Sequence, residues 1–330
     1  MGGLGEVDGM VSAIITKQKI LPSTKPTGLL NAILLHMTTP LTAPQTLALT
    51  ALDGYALAAS HFAASSDQFI VVGSATAVPR WFYAKFAEYA QSLGVNVITT
   101  DYRGIGDSKY GSLKGFDMDY ADWSRYDLAA AVDYAAQRGK VWLVGHSLGG
   151  HAIGQLPSAN VLQAAYVCGV GSGWHGWMPR PERYRAWAMW NLLGPITTRM
   201  YGYHPMSKFG MGEDIPMGVY RDWKRWCAKP HYFFDDTAPK ARAITAKFAD
   251  VRIPIAAVVS TDDLWAPPAS RDAFFKGYSN ASVEPIDLIP QGLGVQQIGH
   301  MGYYRSQVGV QLWPQMLAWL AQHGLQTTNA

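Results

Sequence analysis

The chain has 330 residues, 48% hydrophobic and 15% charged, with a net charge of +3. That composition suits a globular protein with a sizeable core, either one large α/β domain with an insertion or two domains. The near-neutral balance, without a Lys/Arg cluster, argues against a nucleic-acid partner. Two cysteines with no CxxC spacing, Cys168 and Cys227, argue against a disulfide framework and favour buried free thiols.

The first ten residues, MGGLGEVDGM, lack the basic segment of a signal peptide, and Met10 offers an alternative start. Residues 1–45 are read as an N-terminal extension. Its apolar run, Gly28 to Leu35, is too short to span a bilayer and contains Asn31. A helix packed on the body is the simplest reading; a membrane-touching segment or a homodimer contact is left open. The expectation is a soluble, cytoplasmic protein with no stable membrane insertion and a small molecule as its partner.

From residue 46 the elements follow a regular pattern. Residues 46–62 form two β-like runs split by Asp53-Gly54, a hairpin signal. Gln68 to Gly73 is a continuous apolar strand opening into the small residues Ser74 to Val78. A helix is predicted from Trp81 to Leu93, a strand from Val95 to Thr100, and a helix from about Tyr120 to Ala136. Val141-Trp142-Leu143-Val144 is the next apolar strand, and it runs directly into Gly145-His146-Ser147-Leu148-Gly149. This fits G-x-S-x-G between a strand and a helix, the context in which a serine is held on a strained turn. Ser147 should have a positive φ, and the glycines should allow close approach of neighbouring chain. The helix N-terminus favours an anion nearby, and the Leu148 N–H is a natural oxyanion donor.

After another apolar run, Leu162 to Val170, the pattern breaks. Residues 173–250 carry no parallel-strand signal and are dense in Trp, Tyr, Met and Pro. They read as a helical cap inserted into a core formed by residues 46–172 and 251–330. Ile253 to Val259 resumes the strands, followed by a helix near Pro268 to Gly277, a strand from Ser282 to Ile289 and an amphipathic helix from Ser306 to Gln322. Strands alternating with helices, with near-continuous apolar strands, mean a mostly parallel sheet covered on both faces.

An elbow serine needs a base and a group that orients the base. Two acids, Asp262 and Asp263, follow the strand after the cap, at the sheet end where ligands bind. Asp262 also reads as a turn residue or helix cap. His300, in the Gly-flanked loop GHMG, is the histidine with the right place in chain order. His146 should point away from Ser147, and His151 reads as a packed side chain. Asp101, Arg103, Gly104 and Gly106 read as residues that order a loop.

With these motifs in place, residues 46–330 resemble the α/β-hydrolase superfamily, cap included. GHSLGG resembles the elbow, DYRGIGDS the segment after the fourth strand, STDDLWAPP the acid motif and GHMGYYR the histidine loop. The finer resemblance is to bacterial predicted hydrolases near the serine aminopeptidase and monoacylglycerol lipase branch. The resemblance implies an α/β-hydrolase fold and a triad of Ser147, Asp263 and His300, the acid being set by its spacing to Pro267. It also implies a second oxyanion donor after the third strand. This chain has Ser74-Ala75 where many members have His-Gly, and the register from Tyr83 puts that donor at Thr76.

The expected chemistry is hydrolysis of an ester or related acyl compound through an acyl-enzyme, with no metal and no cofactor. Trp174, Trp177, Trp187, Trp190, Trp265 and Met301 are expected to line an apolar site under the cap. Aminopeptidase, lactonase, thioesterase and acyltransferase chemistries remain open on the same triad. So does a ligand receptor on a hydrolase scaffold.

Overall fold

The computed structural model describes residues 42–328, so the apolar run at 28–35 lies outside the described residues. The chain starts as a hairpin, β1 (Gln45–Thr50) and β2 (Ala56–Phe62), turning at Asp53-Gly54 with Gly54 at φ 87°. β3 (Gln68–Gly73) leads through a loop and a short 3₁₀ turn to helix α1 (Ala84–Ser92) and then to β4 (Asn96–Thr100). A π-helical turn, Trp123–Leu128, opens helix α2 (Ala129–Ala136), and β5 (Lys140–His146) runs into the short helix α3 (Leu148–His151). β6 (Leu162–Cys168) precedes the 173–250 segment.

That segment holds helices α4 (Arg180–Ala188), α5 (Gly194–Tyr201), α6 (Met217–Cys227) and α7 (Pro239–Thr245). Its β structure is one isolated antiparallel bridge between His204 and Ile215. The chain then completes the sheet with β7 (Pro254–Ser260), α8 (Pro268–Phe275), β8 (Ser282–Leu288) and α9 (Ser306–Gln322).

The strand order is β1-β2-β4-β3-β5-β6-β7-β8. β1 and β2 join antiparallel, β2 meets β4 antiparallel, and the other pairs are parallel. Side chains alternate between two apolar layers. Phe69, Val71, Leu143, Val167 and Ala257 face the layer shared with α2, α8 and the 173–250 segment. Ile70, Val72, Trp142, Val144 and Val258 face the layer shared with α1 and α9. Burial on both faces is why the central strands read as unbroken apolar runs.

The order reverses at β3, which lies between β4 and β5. The crevice at the carboxyl ends of β3 and β5 is therefore the place where such a sheet receives a ligand. The 173–250 segment is anchored above it. The Asp222 carboxylate accepts the Tyr120 N–H at 3.2 Å, and Trp226 packs edge-on against Tyr120 at 5.6 Å. Both cysteines are buried free thiols, and among the described residues no helix is long and apolar enough to cross a membrane.

Candidate active site

β5 delivers Ser147 to a sharp turn. Its φ of 49° and ψ of −108° lie where a side chain is strained, so surrounding structure must hold it there. Part of that hold is the Ser147 N–H, which donates to the Cys168 carbonyl at 2.9 Å. The rest is close packing: a Cβ on Gly149 would fall 2.1 Å from the Gly73 carbonyl oxygen, so α3 rests on β3 only because the residue is glycine. Between Val141 and Gly150, Ser147 alone is partly exposed. Among the described residues the N–H groups of Leu148 and Thr76 have no hydrogen-bond acceptor. Thr76 sits in the loop after β3, its hydroxyl 3.1 Å from the Tyr120 hydroxyl, and the next residue, Ala77, takes φ 63°.

Asp263 follows β7 and is 1% exposed. Its Oδ1 accepts the N–H groups of Trp265 and Ala266, each at 2.9 Å, and its Oδ2 accepts the Tyr303 hydroxyl at 3.0 Å. His300 Nδ1 stands 2.9 Å from the same Oδ2. Burial raises the Asp263 carboxyl, but the facing His300 charge, its hydrogen bond and the two N–H donors bring it below its usual 3.8. Burial pulls the His300 imidazole down, but the Asp263 charge and hydrogen bond outweigh it and lift it above 6.5.

The His300 ring lies against Gly169, where a Cβ would come within 3.2 Å of the ring Cε1. Gly169 follows Cys168, the residue that receives the Ser147 N–H. Ser147 and the His300–Asp263 pair thus meet at the carboxyl end of β6. Among the described residues no hydrogen bond joins the Ser147 hydroxyl to His300. Such bonds often tighten only when substrate is seated.

Two neighbours have roles that residue type did not disclose. Asp262 is neither an idle turn residue nor a helix cap: its carboxylate accepts the N–H groups of Ile298 and Gly299, each at 2.9 Å, and ties down the loop that carries His300. His146 turns away from Ser147, yet its Nε2 lies 2.8 Å from the His300 carbonyl oxygen. His151 is buried, with its Nε2 2.7 Å from the Gly171 carbonyl oxygen.

A cavity of about 430 Å³ opens beneath the 173–250 segment, lined by Glu182, Arg185, Ala186, Met189, Leu193, His204, Phe209, Met211 and Trp265. Two contacts locate it. Trp265 bonds directly to Asp263 through its N–H. Met211 precedes Gly212 and Glu213, which lie on Ala77; the Glu213 N–H reaches the Ala77 carbonyl at 2.8 Å. The cavity is thus tied to both loops through Met211 and Trp265, while Ser147, Thr76, Asp263 and His300 are not among its lining residues. Its volume falls in the range of about 300–1,000 Å³ usual for small-molecule sites. Among the described residues no group of His, Cys, Asp or Glu is arranged to hold a metal ion.

Of the aromatic and sulfur side chains expected to line such a space, Trp265 does so. Trp190 is buried within the segment, 5.0 Å from Trp223 and 5.9 Å from Tyr220, ring to ring. Trp187 is 46% exposed on the outer surface. Trp174 packs on Trp177 at 5.5 Å, and Trp177 donates to the Pro230 carbonyl. Met301 packs into the layer shared with α1 and α9. The lining comes instead from Glu182, Arg185, Ala186, Met189 and Leu193, a helical spacing of three and four along α4 and the π-helical turn Met189–Leu193 that follows it. That periodicity is visible in the sequence once the inward face is known.

Solved structures of like shape include DcsB in complex with its substrate analogue, at a TM-score of 0.59 and 15% identity over 85% of this chain and 100% of that one. A soluble variant of monoglyceride lipase from Saccharomyces cerevisiae gives a TM-score of 0.59 and 14% identity over 88% and 98% of the two chains. A thermophilic esterase from Thermogutta terrifontis gives 0.51 and 15% over 85% and 100%. At these identities the likeness speaks to the fold alone. No curated protein sequence matches the chain. A sequence model of the alpha/beta hydrolase family, however, matches residues 43–304, a span running from the first hairpin through the His300 loop. With its eight-stranded sheet, its elbow and its strand-end loops, the chain belongs to the alpha/beta hydrolase family.

Proposed function

We propose that the protein is a serine hydrolase that cleaves a carboxylic ester with an apolar group held in the cavity beside Trp265. The observation that carries this reading is the His300–Asp263 pair, 2.9 Å apart, at the strand end where Ser147 sits at positive φ. In this reaction the Ser147 oxygen attacks the ester carbonyl as its proton passes to His300 Nε2. Asp263 keeps the other ring nitrogen protonated and stabilises the imidazolium. The oxyanion receives the N–H groups of Leu148 and Thr76, with a contribution of about 3–4 kcal/mol per donor in comparable sites. The intermediate collapses, the alkoxide leaves with the proton from His300, and an acyl-serine remains. Water then attacks the acyl carbon, giving its proton to His300. That proton returns to Ser147 as the acid departs.

The lining supports an apolar acyl or alcohol group: Ala186, Met189, Leu193, Phe209, Met211 and Trp265 supply most of the wall. An aminopeptidase needs a free carboxylate for the substrate ammonium. Among the acids of the 173–250 segment, Glu213 receives the Gly106 N–H, Asp214 binds Ser207, Asp235 faces His231 and Asp236 pairs with Arg225. Glu182 reaches the cavity and lies 3.6 Å from the exposed Arg185, a cation that would compete with a substrate ammonium.

The test is labelling with a fluorophosphonate and peptide mapping, followed by kcat/KM along a p-nitrophenyl ester series. Labelling at Ser147 that requires His300, with medium-chain esters preferred over acetate, is the expected result. Ser147→Ala should lower kcat on the order of 10⁶-fold. A variant that kept most of its activity would refute the assignment.

A further inference from the structure

The cavity has one polar feature that the proposed chemistry does not use. His204 lines it and is 1% exposed. Its backbone is clamped to Ile215 by reciprocal hydrogen bonds of 2.9 and 3.0 Å, so the ring is held in place. The ring rests on Tyr220, centroid to centroid 4.8 Å, with Phe209 at 6.3 Å. Among the described residues neither ring nitrogen has a hydrogen-bond partner, and Nδ1 is fully buried.

A neutral imidazole always carries one donor and one acceptor. Sealed away without a partner, Nδ1 is a standing cost, since buried polar groups in proteins are normally paired, and Nε2 is the ring nitrogen left for a group in the cavity. Such a group on the wall of an apolar pocket is how a site fixes the orientation of what it binds. Burial holds His204 neutral, its imidazole pushed down to about 4. The other two polar wall residues, Glu182 and Arg185, are of opposite charge. The cavity wall therefore carries one loosely opposed charge pair, 3.6 Å apart, and one neutral ring with a free hydrogen-bonding nitrogen.

We propose that His204 is a specificity residue: the substrate group that fills this cavity is apolar but bears an uncharged hydrogen-bonding substituent, in the simplest case a hydroxyl, that pairs with the His204 ring. The reaction in which it acts rests on the ester-hydrolase reading; the binding itself does not.

Two measurements test this. The first compares p-nitrophenyl hexanoate with hydroxyhexanoates in which the hydroxyl is moved along the chain. The wild type should prefer one hydroxylated ester over the parent about five- to tenfold in kcat/KM. His204→Leu should abolish the preference, read as the ratio of kcat/KM for the two esters within the same variant, and His204→Gln, which keeps a donor and an acceptor, should retain part of it. No preference in the wild type, an unchanged preference in His204→Leu, or a stronger preference for a carboxylate- or ammonium-bearing ester would overturn the proposal.

The second needs no turnover. In Ser147→Ala protein with nitrogen-labelled histidine, hexan-1-ol should shift the His204 ring resonances, and 1-fluorohexane of similar shape should not. Equal shifts, or none from the alcohol, would also overturn it. If the binding result holds while no ester is hydrolysed, the hydrolase reading fails and the His204 site stands. If esters are hydrolysed without any hydroxyl effect, the reverse is true.

Discussion

His146 Nε2 lies 2.8 Å from the carbonyl oxygen of His300, so the residue before the nucleophile holds the backbone of the proposed base. The direction of each bond follows from the far end of the chain. The Ala75 N–H donates to the Tyr83 oxygen at 2.8 Å, which leaves the Tyr83 O–H to donate to His146 Nδ1 at 3.0 Å. His146 is then the tautomer with its proton on Nε2, donating to His300. Burial first, and the nearby His300 charge second, push its imidazole down to about 3, so it stays neutral. One relay thus joins the loop of Thr76 to the loop of His300.

Breaking that relay should misplace catalytic groups without touching substrate. Tyr83→Phe removes the proton that sets the His146 tautomer, and His146→Leu removes the bond to His300. Each should lower kcat by about 10- to 100-fold with little change in KM, since displacements of about 1 Å carry costs of this size. Steady-state kinetics beside thermal melts separates this from unfolding. A lower melting temperature with unchanged kcat would show that the relay serves stability only.

The acid limb of activity should report His300. The base must be neutral to accept the serine proton, so kcat/KM should fall as pH drops through its ionisation, which lies above the usual 6.5 because Asp263 outweighs burial. Asp263→Asn removes that charge, so the limb should move to lower pH while activity at its plateau falls on the order of 10⁴-fold. A limb that stayed in place in this variant would mean that another group titrates.

Much of this is legible in the sequence. β3, β5, β6 and β7 declare themselves because both faces are buried, and the loops after β5 and β7 are recognisable because a strand leads directly into them. The inward face of the 173–250 segment is not legible there. Trp187, exposed, and Met189, in the cavity wall, sit two residues apart in similar company, and only the angle of α4 over the sheet distinguishes them. The same holds for Asp262, whose partners lie 36 and 37 residues further along the chain. Turn chemistry is local; the binding of the Ile298 and Gly299 N–H groups is not.

Acid should destabilise the fold through its buried histidines. His146, His151 and His204 are held neutral, pushed down by burial to about 3, about 4 and about 4. In the unfolded chain each protonates below about pH 6.5. Their contribution is whole above that value and is lost as pH falls toward the folded values, with a slope of up to about 1.4 kcal/mol per pH unit for each. His300 acts in the opposite sense: its raised value gives a contribution that is whole at low pH and lost as pH rises through it. Asp127, its carboxyl raised by burial to about 6, also acts in that opposite sense; the three histidines outweigh the two, so melting temperature should fall from about pH 7 to about pH 5. His151→Gln should flatten that fall; an unchanged slope would show that His151 is already hydrated.

Gly149→Ala tests the elbow itself. The added methyl would lie 2.1 Å from the Gly73 carbonyl oxygen and 2.7 Å from its Cα, both backbone atoms that cannot swing aside. Gly73 in turn pairs with Gly145 between β3 and β5, so α3 can retreat only by lifting off the centre of the sheet. The retreat would carry the Leu148 N–H with it, because Leu148 begins the same helix. The expected result is therefore a double loss: a fold weaker by about 1–3 kcal/mol, the range of overpacked cores, and a fall in kcat/KM beyond the unfolded fraction. Denaturant titration gives the first, and ester turnover corrected for folded protein gives the second. A variant with weakened stability but full specific activity would show that the Leu148 N–H keeps its place, and would move the oxyanion contribution toward the loop of Thr76.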